Sequence, residues 1–132
     1  MNGGATLTGT GVTLVFTAKT NSDWATATIN GTAIVNLTPP KSGPTAGIVM
    51  FGDRRIPVGT TFKFNGGATQ YLGGAVYIPT GAVSFSGGAG TSTDCTQVIG
   101  DTVSFVGNSS LVLNCSSYSV RPFSPLTVKL TS

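Results

Sequence analysis

The stretch FKFNGGA, Phe62–Ala68, alternates two aromatic rings with polar residues and then runs into an Asn-Gly pair. Its pattern returns along the chain. ATINGTA (27–33), VSFSGGA (83–89) and VSFVGNS (103–109) follow the same plan, and NGGA (2–5) carries its turn alone. Aligned on Gly3, Gly31, Gly66, Gly87 and Gly107, the copies are spaced by 28, 35, 21 and 20 residues. Two residues before the last four glycines stand Ile29, Phe64, Phe85 and Phe105; four before them stand Ala27, Phe62, Val83 and Val103. An apolar residue at every second position, ending in a turn, is the signature of a half-buried strand. After the turn the alternation resumes in Ala33-Val35-Leu37 and Ser109-Leu111-Leu113. Val12-Leu14-Phe16, Ile48-Met50 and Val76-Ile78 supply a further strand to each unit.

Two architectures accommodate this pattern. If each Asn-Gly is a tight hairpin, the chain is an antiparallel sandwich. If each unit is one coil, the chain is all-β, a parallel β-solenoid of the right-handed β-helix kind, with about five short coils and loop excursions. The hairpin leaves the recurring Phe before each glycine as coincidence. The solenoid explains it, because equivalent positions on successive coils lie about 4.8 Å apart. Phe64, Phe85 and Phe105 then form an internal stack. Each coil corner is expected to need positive φ, which glycine meets at no steric cost and asparagine tolerates.

The longer intervals imply loops leaving the coil. The expected excursions are Ala18–Ala25, around the sole Trp, and Gly52–Gly59, "GDRRIPVG", with few core contacts; Pro39-Pro40 and Gly43-Pro44 mark a further turn region. Cys95 and Cys115 each lie eight residues after a repeat glycine. In a solenoid they are vertical neighbours at a separation suited to a disulfide, although two buried free thiols fit the same positions. A bonded pair places the chain in an oxidising compartment.

Composition narrows the function classes. The 132 residues make one domain, 1–132, large enough to bury a core. Charged residues are 8% of the chain, against about 25% in an average domain. Glu and His are absent, so a Ser-His-Asp arrangement has no base and zinc has only two thiols and scattered Asp. The carboxylates Asp23, Asp53, Asp94 and Asp101 sit at different offsets from their glycines, so no glycosidase pair is expected to converge. The net charge of +3 is dispersed and not interleaved with aromatics, which argues against nucleic acid. No apolar run reaches the ~20 residues of a membrane span. Thr6/Thr8, Thr26/Thr28 and Thr91/Thr93 fall out of register, which removes an ice-binding face. No cofactor and no metal site are expected.

Asp53-Arg54-Arg55 is the one dense charge cluster and the candidate binding site, since Arg grips carboxylates bidentately. A solvated loop with a local ion pair is the plainer reading of the same residues. Trp24, Tyr71, Tyr77 and Tyr118 are candidates for a sugar-stacking platform, but their offsets differ and favour core or end-capping roles.

"GTGVTLVFT" (9–17), "NGTAIVNLTPPKSGPTAGIVMFGDR" (30–54), "FNGGATQYLGGAVYIPTGAVSFSGG" (64–88), Cys95, "DTVSFVGNSSL" (101–111) and Cys115 occur in one order that resembles the C-terminal region of TadG-like proteins of bacterial tight-adherence pili. The resemblance covers nearly the whole chain and includes an Asp-Arg pair after "IVMF", here Asp53-Arg54. It implies a fragment of a longer bacterial envelope protein, anchored in the membrane upstream, with an extracytoplasmic location. The implied role is structural or adhesive, with envelope or pilus proteins as partners. It brings no catalytic residues. A carbohydrate-binding or carbohydrate-processing β-helix is the alternative, with surface glycans as ligands.

Overall fold

The computed structural model describes residues 1–66, 69–87, 90–91, 95–109 and 111. Thr93, Asp94, Leu113, Cys115 and Tyr118 lie outside the described residues. Among the described residues ten strands follow one another: β1 (Thr6–Gly9), β2 (Leu14–Phe16), β3 (Thr28–Ile29), β4 (Ile34–Leu37), β5 (Ile48–Gly52), β6 (Thr60–Phe64), β7 (Thr69–Leu72), β8 (Gly74–Ser86), β9 (Gly90–Thr91) and β10 (Thr96–Val106). Every recorded pairing is parallel and joins strands of successive units, as the solenoid requires and the hairpin sandwich forbids.

The strands build three faces. The first stacks β1, β4, β7 and β9. The second stacks β2, β5 and the first halves of β8 and β10; the third stacks β3, β6 and their second halves. Among the described residues the chain therefore passes four times around the axis. Four of the about five expected coils thus lie among the described residues.

Alternation sets what each face buries. Val35, Leu37 and Leu72 on the first face, Met50, Val76 and Ile78 on the second, and Ile29, Phe62, Phe64, Val83 and Phe85 on the third point inward to one core. On the third face, Phe64 and Phe85 stack with centroids 4.8 Å apart, and Phe85 and Phe105 at 5.3 Å. Both pairs are near-parallel, as register demands. Phe105 continues the stack but is 44% exposed. Phe16 meets Phe62 edge to face across the core.

The recurring corner is a ladder of side-chain amides. Asn30 Nδ2 donates to Asn2 Oδ1 (3.2 Å), Asn65 Nδ2 donates to Asn30 Oδ1, and Ser86 Oγ donates to Asn65 Oδ1 (2.9 Å). Glycine serves this corner for two reasons. Gly31 and Gly87 have a φ of 60°, as expected. Gly66 does not; there the next turn passes so close that a Cβ would lie 1.6 Å from the Gly87 carbonyl oxygen. Positive φ at every corner is thus corrected to positive φ or close approach.

Gln70 occupies an inward position on the first face, between Val35 and Thr91 in register, and is fully buried. Neither its amide nitrogen nor its amide oxygen has a hydrogen-bond partner among the described residues.

Most of the extra length of the second turn, 35 residues against 28, resides in 38–47, between the first and second faces. That loop closes on itself through Gly47 N–H donating to the Pro40 carbonyl (2.9 Å). The two expected excursions lie between the second and third faces on adjacent turns: 17–27 on the first and 53–59 on the second. On the third turn β8 runs straight through this corner. The second excursion is not peripheral to the core as expected, for Ile56 at its centre is 2% exposed.

Candidate functional site

The corner between the second and third faces gathers the chemistry of the described chain. Asp53 enters it directly from β5, its backbone N–H donating to the Phe16 carbonyl (3.0 Å) and so extending the ladder by one residue. The carboxylate then organises the turn. Oδ1 accepts the Arg55 backbone N–H (2.9 Å), and Oδ2 accepts Arg55 Nη2 (2.6 Å) and Thr17 Oγ1 (2.9 Å) from the neighbouring excursion. Arg55 Nε also reaches the carboxylate, at 3.1 and 3.2 Å.

The electrostatics follow from these contacts. The Arg55 guanidinium first, its backbone N–H next, and Thr17 to a smaller degree hold the Asp53 carboxyl well below the usual carboxylate range, against a modest desolvation in the opposite direction. Asp53 in turn raises Arg55. Asp53 is therefore a structural anion, consumed in pinning one excursion to the other. Its partner is Arg55, not the adjacent Arg54.

Arg54 is placed differently. Its Nε donates to the Tyr77 hydroxyl (3.0 Å), and its guanidinium carbon lies 5.8 Å from the Tyr77 ring centroid. Tyr77 stacks on Phe51 of the preceding turn, with centroids at 5.6 Å and planes 22° apart. Arg55 sits in the same way over Trp24, at 5.6 Å, whose indole N–H donates to the Asn21 carbonyl (3.2 Å). Two consecutive guanidiniums thus each lie against an aromatic ring. Among the described residues Asp53–Arg55 is the one salt bridge, so the Arg54 charge has no carboxylate counterpart there.

Of the sequence-predicted aromatics, Trp24 and Tyr77 share this corner, while Tyr71 lies on the first face. Phe51 was not anticipated. Laying "IVMF" of β5 on "AVYI" of β8 letter by letter would put Phe51 beside Ile78; a register irregularity between Ile48 and Met50 brings it beside Tyr77 instead. Cys95 is 1% exposed, immediately before β10, and is not a free thiol. Among the described residues no three His, Cys, Asp or Glu side chains come together to hold a metal. An apolar cavity of about 190 Å³ lies at the first turn, walled mainly by Leu7, Leu14, Phe16, Ala27, Ile29 and Met50, and brings no titratable side chain to its lining. No helix among the described residues is long and apolar enough to cross a membrane.

No family model, curated protein or solved structure matches this chain.

Proposed function

We propose that this chain is a non-enzymatic, extracytoplasmic interaction module of a pilus-associated envelope protein, acting in assembly, surface structure or adhesion through the corner that carries Arg54. The observation behind it is the division of labour in the charge cluster. Asp53 and Arg55 neutralise and brace each other, which leaves Arg54, mounted on the Phe51–Tyr77 pair, as a cation with no ion pair among the described residues. A rigid scaffold that presents such a group on an excursion is built for contact. The same division disfavours catalysis, because the carboxylate nearest the aromatics is already committed to Arg55. The pilus and envelope assignment draws on the sequence resemblance to TadG-like proteins.

The compartment draws on the cysteines. Cys95 and Cys115 are separated by 20 residues, the same interval as the Phe85–Phe105 register step, and we take them to be a disulfide. Closing a loop of that length stabilises a fold by roughly 3 kcal/mol on the chain-entropy model. The alternative of a carbohydrate-binding β-helix is favoured by one observation, the meeting of Trp24 and Tyr77 at one corner.

The test uses the full-length gene product in its native bacterium. Fractionation and intact mass after alkylation without reductant should find the protein outside the cytoplasm with no modified thiol. Arg54→Gln should impair pilus assembly or adhesion while the protein level is unchanged. A cytoplasmic protein with two alkylated cysteines, or an Arg54→Gln strain with normal pili and adhesion, contradicts the proposal.

A further inference from the structure

The second face turns an unusual surface to solvent. Its inward positions are Leu14, Met50, Val76 and Val98 in register, so alternation sends Val15, Phe51, Tyr77 and Ile99 outward, one from each turn. All four are apolar or aromatic, although outward strand positions in a solvated sheet are ordinarily polar. Val15 is 54% exposed and the other three are half-buried. At about 4.8 Å per turn the four form a strip about 14 Å long. Arg54 stands over its third rung.

The chemistry of the strip selects its occupant. The Phe51 and Tyr77 rings stack on each other along the solenoid axis, so one face of each is covered by the other and their edges look outward. Ring edges carry the positive end of the aromatic quadrupole and complement an anion. Arg54 spends its Nε on Tyr77, which leaves the terminal nitrogens for a bidentate carboxylate. Of the four strip residues only Tyr77 carries a polar group, the hydroxyl that accepts from Arg54. A sugar laid there would leave hydroxyls unpaired and would find one face of each ring already covered by the other. Apolar side chains flanking a carboxylate meet none of these penalties.

Resting on the interaction reading above, we propose that the Val15–Phe51–Tyr77–Ile99 strip docks a partner-protein segment in which an Asp or Glu lies beside apolar side chains, with the carboxylate on Arg54. The contact is small, and its affinity is expected in the micromolar range or weaker.

The experiment titrates the isotope-labelled 132-residue chain with three probes: a short synthetic peptide alternating Val and Ile around a central Glu, its Gln counterpart, and oligogalacturonate. The Glu peptide should shift the amides of Val15, Phe51, Tyr77 and Ile99 and the Arg54 Nε–H, and bind about tenfold tighter than the Gln peptide. Arg54→Gln should abolish that preference, whereas Lys63→Gln, a cation on the third face, should keep it; both variants should retain the wild-type spectrum elsewhere. Equal binding of the two peptides, or shifts confined to other faces, overturns the proposal. Shifts at the same residues from oligogalacturonate alone overturn the protein partner while leaving an interaction site in place. Silence from all three probes at millimolar concentration overturns the strip as a docking surface, and leaves the cell-based test of Arg54 to judge the broader reading.

Discussion

The Phe64–Phe85–Phe105 stack makes a quantitative demand on stability. Phe85 is fully buried between two rings, Phe64 is fully buried against one, and Phe105 is 44% exposed against one. Leucine retains much of the buried apolar volume but removes the ring contacts, each worth about 0.5–1.5 kcal/mol beyond burial. Phe85→Leu should therefore cost about 1–3 kcal/mol, and Phe105→Leu roughly half of that. A domain with a total stability of about 5–15 kcal/mol survives both changes. The sharper quantity is the coupling. Double-mutant cycles should give about 0.5–1.5 kcal/mol for Phe64 with Phe85 and for Phe85 with Phe105. Phe64 and Phe105 lie two turns and about 10 Å apart, so their changes should add within about 0.3–0.5 kcal/mol. Urea unfolding at constant m-value is the assay. A Phe64–Phe105 coupling as large as that of the neighbours would refute the order of the stack, and additivity throughout would refute the stack itself.

Gln70→Met should stabilise the protein by about 1–3 kcal/mol, the cost of burying an amide without a partner; a loss of stability in the same urea assay would show that the amide is satisfied. Gly66→Ala should cost more than about 2 kcal/mol, since its Cβ meets the Gly87 backbone, whereas Gly3→Ala, whose nearest neighbour is the Thr32 hydroxyl at 3.3 Å, should cost less; equal melting temperatures for the two variants would contradict the close approach. Asp53→Asn should be less stable than wild type above about pH 4. Because the folded carboxyl is held below its unfolded value, the wild-type advantage is fully present above the unfolded pKa and declines as pH falls toward the folded one. A gap in melting temperature that widens on acidification would contradict the assigned contacts.

The inward face of the third sheet was legible because Ile29, Phe64, Phe85 and Phe105 stand at a constant offset from glycine, and alternation then places every other residue. Loop position was ambiguous. An interval reports only total length, so the extra residues of the second turn were assigned to 52–59 although most lie in 38–47. The corner site suffered from the same loss of register. Phe51 and Tyr77 sit at different distances from their glycines because an excursion follows one and not the other, and only strand-to-strand alignment brings them together. Ile56 was a missed signal, an apolar residue in a charged segment that anchors the excursion to the core. Gln70 is illegible by pattern, because alternation expects an apolar side chain where the chain places an amide.

Parallel, in-register stacking of four turns underlies both the scaffold and the site, and nuclear Overhauser contacts in the labelled protein test it most directly. The account predicts side-chain contacts running Ile29–Phe64–Phe85–Phe105 along the third face and Leu14–Met50–Val76–Val98 along the second, with Phe51 to Tyr77 outside. Close Hα–Hα contacts between the strands on either side of Asn30-Gly31 or Asn65-Gly66, the mark of antiparallel hairpins, would contradict it.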